Sequence, residues 1–389
     1  MPKTPAMKIV QLTTDARDHY KHYDRSVPYF GTAPEALLQG FAALPEVEVH
    51  VVSCTHRPMR SPEKLADNIF FHSVVVPRIG WTRTFYQGCI RAVRKKLREI
   101  RPDIVHGQGT ELDCAISAVF SGYPNVVTIH GNMVQMARLA KGRSRFYLGI
   151  AAWLENIALS RTNGVFCNST FTEALVKPRT SKVWPVPNPV RKNFFELPIS
   201  NHRRRTQVLL NVGSVSAHKR QVELVELAER LHRQGVKCRF EFVGQIAAND
   251  PYGTAFLKKI ELAKDKGFAA YRGFMERDDL IKAYDSADAL VHVSAAESFG
   301  LVVAEALSRN LKFFGSRVGG ISDIAENVEG AELFSRDDWT GLGAAIASWV
   351  EKGCPQPSTA AATMRKRYRP DQIARRHLEI YEEVLRSST

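Results

Sequence analysis

The sequence predicts an α/β protein of two doubly wound domains facing across a cleft. Three observations lead there. Short β-branched apolar runs alternate with helical stretches along the chain, the pattern of parallel strands joined by crossover helices. At 389 residues, there is room for two domains of common size, each with its own core. The runs also fall into two series, separated at 200–206 by the polar, basic stretch Ser-Asn-His-Arg-Arg-Arg-Thr, which reads as a linker.

In chain order, the first series places strands at 7–12, 47–53, 104–106, 126–130, 165–168 and 183–186, each short and rich in Val or Ile. Between them, 36–44 and 91–101 carry helical periodicity, and 146–154 is an apolar helical run. The second series places strands at 208–212, 239–243, 270–272, 289–293, 312–314 and 331–334. The chain closes on a helical pattern at 370–386, with Ile373, Leu378, Tyr381 and Leu385 spaced for packing.

Apolar residues make up 44% and charged residues 24%, which excludes a disordered chain. The six cysteines contain no C-x-x-C pair and read as reduced core residues rather than a disulfide frame. The first residues lack a signal-peptide apolar region and no apolar run reaches membrane-spanning length, so a cytoplasmic location is expected. The net charge of +14 is lopsided: residues 1–195 hold 26 Lys and Arg against 14 Asp and Glu. Such asymmetry points to an anionic partner. Two segments are densest, one carrying Arg91, Arg94, Lys95, Lys96, Arg98 and Arg101, the other Arg138, Lys141, Arg143 and Arg145. They suit either a solvated face or an anionic membrane surface, and the lack of interleaved aromatics argues against nucleic acid.

The chemistry concentrates at 292–305, His-Val-Ser-Ala-Ala-Glu-Ser-Phe-Gly-Leu-Val-Val-Ala-Glu. A buried strand ends near Ser294, Ser298 is suited to cap a helix, and a helix follows over 300–307. The amides of Phe299, Gly300, Leu301 and Val302 at that start favour an anion. Glu297 and Glu305 flank them, and a carboxylate beside a phosphate is suited to accept from neutral hydroxyls instead. A nucleotide sugar satisfies both demands, with diphosphate on the amides and hydroxyls on the acids.

The spacing Glu297-x7-Glu305, with Ser-Phe-Gly-Leu-Val after the first Glu, resembles the carboxylate-pair motif of retaining family-4 (group 1) glycosyltransferases. Other segments fit the same resemblance. Gly213-Ser-Val-Ser-Ala-His-Lys-Arg resembles the family's pyrophosphate-binding turn: Lys219 matches, Ser214 stands where an Arg is usual, and Arg220 replaces a Gly. Gly31 lies in a segment similar to the family's glycine-rich loop, although a helix-capping loop accounts for it equally. His130 ends a strand where the family has a His close to the transferred sugar; a structural His is the other reading. Phe274 falls in the place of the base-binding loop, where core packing is the alternative, and Gly319-Gly320 permits a tight turn nearby.

The resemblance implies the GT-B architecture. Residues 1–195 would form an N-terminal acceptor-side Rossmann-like domain, 196–367 a donor-binding one, and 368–389 a helix crossing back to the first. It further implies hexose transfer from a nucleoside-diphosphate sugar, UDP favoured, to a sugar or lipid-linked hydroxyl, with Glu297 and His130 at the reacting centre. No Asp-x-Asp occurs, so no metal is expected, and no G-x-G-x-x-G follows a strand, so no dinucleotide or other cofactor is expected either. A nucleotide-sugar epimerase and a non-catalytic basic binding module are the competing readings.

Overall fold

In the computed structural model, residues 7–139, 143–199 and 207–388 are described; the 200–206 linker and residues 140–142 of the second basic segment lie outside them. The chain divides into two compact units, Met1–Lys192 with Tyr368–Thr389, and Asn193–Arg367.

Among the described residues, the first unit has one sheet of eight strands: β1 (Met7–Leu12), β2 (Val47–Thr55), β3 (Lys64–Ala66), β4 (Ile69–Val75), β5 (Ile104–Gln108), β6 (Asn125–Ile129), β7 (Val165–Cys167) and β8 (Val183–Pro185). Their order is β3-β4-β2-β1-β5-β6-β7-β8, parallel except for the β3–β4 hairpin. Val and Ile fill both faces of the central strands, as crossover helices on both sides require. Strands β3 and β4 are additions to the sequence reading. They are joined through Asp67-Asn68, and Asn68 ties the hairpin down by donating to the carbonyls of Phe41, Leu44 and Val47. The helix expected at 36–44 starts earlier and runs Thr32–Ala42.

The final helix, Pro370–Ser388, belongs to this first unit. Ile373, Ala374, Ile380, Tyr381 and Val384 are buried with Ile9, Phe41, Phe166 and Trp184 in one cluster. Burying five such side chains stabilises the docking by several kcal/mol at roughly 1.5–3 kcal/mol for each large one.

The second unit has a parallel sheet of β9 (Gln207–Val212), β10 (Cys238–Val243), β11 (Ala269–Tyr271), β12 (Ala289–His292), β13 (Lys312–Ser316) and β14 (Ala331–Phe334), ordered β11-β10-β9-β12-β13-β14. The direction of winding reverses between β9 and β12. In such sheets the crevice at the carboxyl ends of these two strands receives the ligand.

Candidate active site

The loops leaving β9 and β12 meet at this reversal. Gly213 leaves β9 at φ 150°, and a Cβ on Gly244, just past the end of β10, would sit 1.9 Å from the Gly213 carbonyl, so the loops leaving β9 and β10 touch backbone to backbone. Ala295 N–H donates to the His218 carbonyl at 2.8 Å, binding the β12 loop to the residue before Lys219.

Three side chains converge on Glu297. Lys219 Nζ donates to its Oε2, and His292 Nε2 and Ser294 Oγ each lie 3.3 Å from the same atom. Burial would raise the Glu297 pKa, but the His292 hydrogen bond and the Lys219 charge outweigh it and hold the carboxyl well below its usual range. Glu297 is thus an anion at any physiological pH. His292 is 1% exposed; burial and the Lys219 charge lower its pKa, so it sits neutral beside the anion.

Gly319 fixes the Glu297 backbone. Its φ of 48° and ψ of −138° suit glycine, and a Cβ there would come within 1.8 Å of the Glu297 carbonyl oxygen. That carbonyl accepts from Gly320 N–H at 3.1 Å. The sequence expectation of a tight glycine turn here gains a specific purpose: it leaves room for the acid.

The following helix runs Leu301–Leu307, and its cap is Gly300 at φ 99°, not Ser298. The local preference for Ser at a cap is overridden because the chain must turn left-handed against Ile321, which stands 3.0 Å from where a Cβ on Gly300 would lie. Among the described residues, the amides of Gly300, Leu301 and Val302 have no hydrogen-bond partner, whereas Phe299 is buried in the core. Glu305 is on this helix at 2% exposure, with the Tyr284 hydroxyl donating to its Oε2 at 3.3 Å.

Arg220 does not join Lys219. In a left-handed cap position at φ 58°, its guanidinium donates to the Arg336 carbonyl at 2.6 Å and to Asp337 at 2.8 Å, over the Trp339 ring. Ser214 is exposed in the β9 loop, and Phe274, after β11, is 50% exposed rather than core.

In the first unit, His130 follows β6, its Nε2 3.1 Å from Gln108 Oε1. The residue is half-buried, and desolvation of its imidazole depresses the pKa to about 4. Glu111, which sequence reasoning passes over, packs against Gly109 and Gly131 beside it, and burial raises its pKa. Its signal is positional: an acid just past the end of β5, which pairs with β1 where the winding of the first sheet reverses. Gly31 precedes the helix Thr32–Ala42 at φ −58°, and a Cβ there would meet only Pro34, at 3.6 Å, so the fold itself does not demand glycine.

Cysteines scattered along the sequence meet in space. Cys54, Cys89 and Asp113 offer ligand atoms within 4.8 Å of one another, all buried. The Cys54 thiol is pushed up by its hydrogen bond with Cys89 and by burial, and burial lifts Asp113 to about 6. The group is therefore a proton-rich hydrogen-bonded cluster in the core of the first unit.

Comparison with known proteins fits this geometry. A family model described as glycosyl transferases group 1 matches residues 193–369, and one described as glycosyltransferase family 4 matches residues 35–194. The sulfoquinovosyl transferase of Arabidopsis thaliana is 30% identical over 145 residues, 37% of this chain and 26% of that protein, so the chain matches about a quarter of its length. The glycogen synthase of Mycobacterium tuberculosis is 26% identical over 300 residues, 74% of this chain and 71% of the relative. Among solved structures, sucrose-phosphate synthase from Thermosynechococcus elongatus superposes with a TM-score of 0.74 at 16% identity, covering 98% of this chain and all of the other. Anabaena HepE in complex with UDP-glucose gives 0.70 at 16% identity, covering 97% of this chain and 100% of that one. These likenesses establish the GT-B fold, and with the matches to both halves, the chain belongs to the group 1, family 4 glycosyltransferases.

Proposed function

We propose that this protein transfers a hexose from UDP-hexose to a hydroxyl acceptor with retention of configuration, in the synthesis of a cell-envelope polysaccharide or glycolipid. The observation that carries the reading is Glu297, a carboxylate kept ionised at the strand-end crevice by Lys219 and His292. Such an anion, turned toward ligand, accepts from sugar hydroxyls and favours positive charge developing on the sugar ring. Lys219 and the amides of Gly300, Leu301 and Val302 neutralise the departing diphosphate without a metal ion. Glu305, steadied by Tyr284, takes the ribose hydroxyls, and Phe274 and Ser214 border the nucleotide. Arg220 reaches the diphosphate only by leaving Asp337. His130 meets the sugar or acceptor as a neutral hydrogen-bonding group, and Gly31 is in the loop that approaches the donor's diphosphate and the acceptor. The choice of UDP is supported by the UDP-glucose named for HepE.

The acceptor is proposed to lie at the cytoplasmic leaflet. Among the described residues no helix is long and apolar enough to cross a membrane. Helix Gln87–Ile100 buries Ile90, Val93 and Leu97 and turns Arg91, Arg94, Lys95 and Arg98 outward. Arg138 and Arg145 are exposed near Phe146, Tyr147 and Trp153, which are themselves 53–70% exposed and suited to an interface.

A panel of UDP-, GDP- and ADP-hexoses, assayed for nucleotide release in excess EDTA, tests the reading. Slow UDP release that persists in chelator is expected, because an unused donor leaks to water. An isomerised donor would show an epimerase instead, absence of binding a non-catalytic module, and abolition by EDTA a metal-dependent site.

A further inference from the structure

A continuous hydrogen-bonded chain runs from the last helix through the core of the first unit to His130. Tyr381, fully buried, accepts from Gln11 Nε2 at 2.9 Å and lies 2.5 Å from His106 Nδ1. His106 Nε2 is 2.6 Å from Thr128 Oγ1. Gln108 Nε2 donates to Gln11 Oε1 at 2.8 Å, and Gln108 Oε1 faces His130 Nε2 at 3.1 Å. Gln11, His106, Gln108 and Thr128 lie side by side on β1, β5 and β6 and are all at most 7% exposed. Buried polar groups on three core strands are costly unless each is paired, and here each finds a partner.

The bonds carry a polarity. Gln11 gives its N–H to Tyr381, so the single Tyr381 proton goes to His106 Nδ1, and His106 keeps its own proton on Nε2 for Thr128. With its amide so oriented, Gln11 presents Oε1 to Gln108 Nε2, and Gln108 is left presenting Oε1 to His130. An amide oxygen only accepts, so His130 carries its proton on Nε2. Turning one amide over would place two acceptors or two donors face to face unless every other member turned too. The tautomers of His106 and His130 are therefore tied together.

We propose that Tyr381, Gln11 and Gln108 are positioning residues that hold His130 as the Nε2–H tautomer, leaving Nδ1 as its acceptor toward a substrate hydroxyl. The inference rests on the proposed place of His130 beside the sugar or acceptor. It gives the final helix a second purpose besides packing, since Tyr381 sets the orientation of a group far back in the chain through Gln11, itself 370 residues away. It also makes His130 a receiver of a hydroxyl hydrogen bond rather than a binder of phosphate. Burial supports this, since His106 and His130 are both held neutral.

Long-range ¹H–¹⁵N correlation on ¹⁵N-histidine-labelled full-length protein at pH 7.5 reads the tautomers directly, with His130→Asn and His106→Asn assigning the signals. Both rings are expected as Nε2–H. Both as Nδ1–H would overturn the polarity, and one of each would overturn the coupling. In Gln108→Leu the His130 signal should become a tautomer mixture and kcat should fall at least 10-fold, with KM for the donor within 2-fold. Gln108→Glu, which can still accept from His130 Nε2–H although it no longer donates to Gln11 Oε1, should restore the single tautomer of His130; an unchanged His130 signal in Gln108→Leu would overturn the proposal. Tyr381→Phe keeps the packing and should disturb both histidine signals. Should the tautomers come out as stated while His130→Asn turns over normally, the placement of His130 at the reacting centre fails and the network stands.

Discussion

Replacing Gly319 by Ala tests whether the glycine turn exists to seat Glu297. The new Cβ would start 1.8 Å from the Glu297 carbonyl oxygen and must reach at least 3.0 Å, so one backbone has to retreat by about 1.2 Å. Two costs add. The φ of 48° with ψ of −138° is strained for any L side chain, about 1–3 kcal/mol, and overpacking contributes about 1–3 kcal/mol more. A loss of roughly 2–6 kcal/mol in the second unit follows. The functional cost is separate: a displacement near 1 Å of a group that orients substrate lowers turnover by about 100-fold. Gly267→Ala supplies the control, because Gly267 has φ 81° but open space around its Cβ position, so it carries strain without contact. Urea unfolding and UDP release, measured side by side, separate the two effects. Gly267→Ala should lose about 1 kcal/mol and keep its turnover. A folded Gly319→Ala protein with turnover within twofold of wild type would refute the idea that this turn positions the acid.

Three further outcomes are expected. Glu305→Ala should weaken UDP binding by about 1.5–3 kcal/mol, the scale of a charged hydrogen bond, and unchanged affinity in calorimetry would end the ribose assignment. Stability should fall as pH drops from 6.5 toward 4. Burial lowers His377 to about 4, so across this window the unfolded chain binds the proton and the folded one does not, a loss of up to about 3 kcal/mol that is absent above pH 6.5; urea midpoints of His377→Phe that track wild type at every pH would contradict it. Vesicle sedimentation should show binding to anionic but not zwitterionic lipid, reduced by salt, since four or five cations contribute about 1 kcal/mol each. Replacing Arg94, Lys95, Lys96 and Arg98 with Gln should abolish it without changing UDP affinity, and a wild type that ignores anionic vesicles at low salt would make these segments a solvated surface.

Strand positions are legible in the sequence because parallel sheets buried on both faces leave uninterrupted Val and Ile runs. The hairpin β3–β4 is not: Phe70 and Phe71 are followed by His72 and Ser73, which breaks the apolar run, and the hairpin is secured by Asn68 bonds that depend on distant carbonyls. Glu297 and Lys219 are legible as a motif, yet their direct pairing depends on the winding reversal that makes β9 and β12 neighbours. Ser298 misleads because a capping preference is local, while the choice of Gly300 is made by Ile321, which approaches from the next loop. Sequence places Arg220 beside Lys219; Asp337 and Trp339, more than a hundred residues on, decide where it points. The network at Tyr381 does leave a trace. Gln11, His106, Gln108 and Thr128 are polar residues inside runs otherwise fit for a core, and each such residue demands a partner that sequence alone does not name.

In the proposed site the Glu297 carboxylate orients a sugar while Lys219 and the Leu301–Leu307 helix start hold the diphosphate. Glu297→Gln keeps the shape and removes the charge, so turnover and nucleotide affinity should separate. UDP affinity, measured by calorimetry, should stay or tighten, because Lys219 is released from its partner. UDP release from the preferred UDP-hexose should fall by about 100-fold or more, the scale of a lost transition-state contact. Turnover equal to wild type, or UDP affinity lost in step with turnover, would contradict this division of roles.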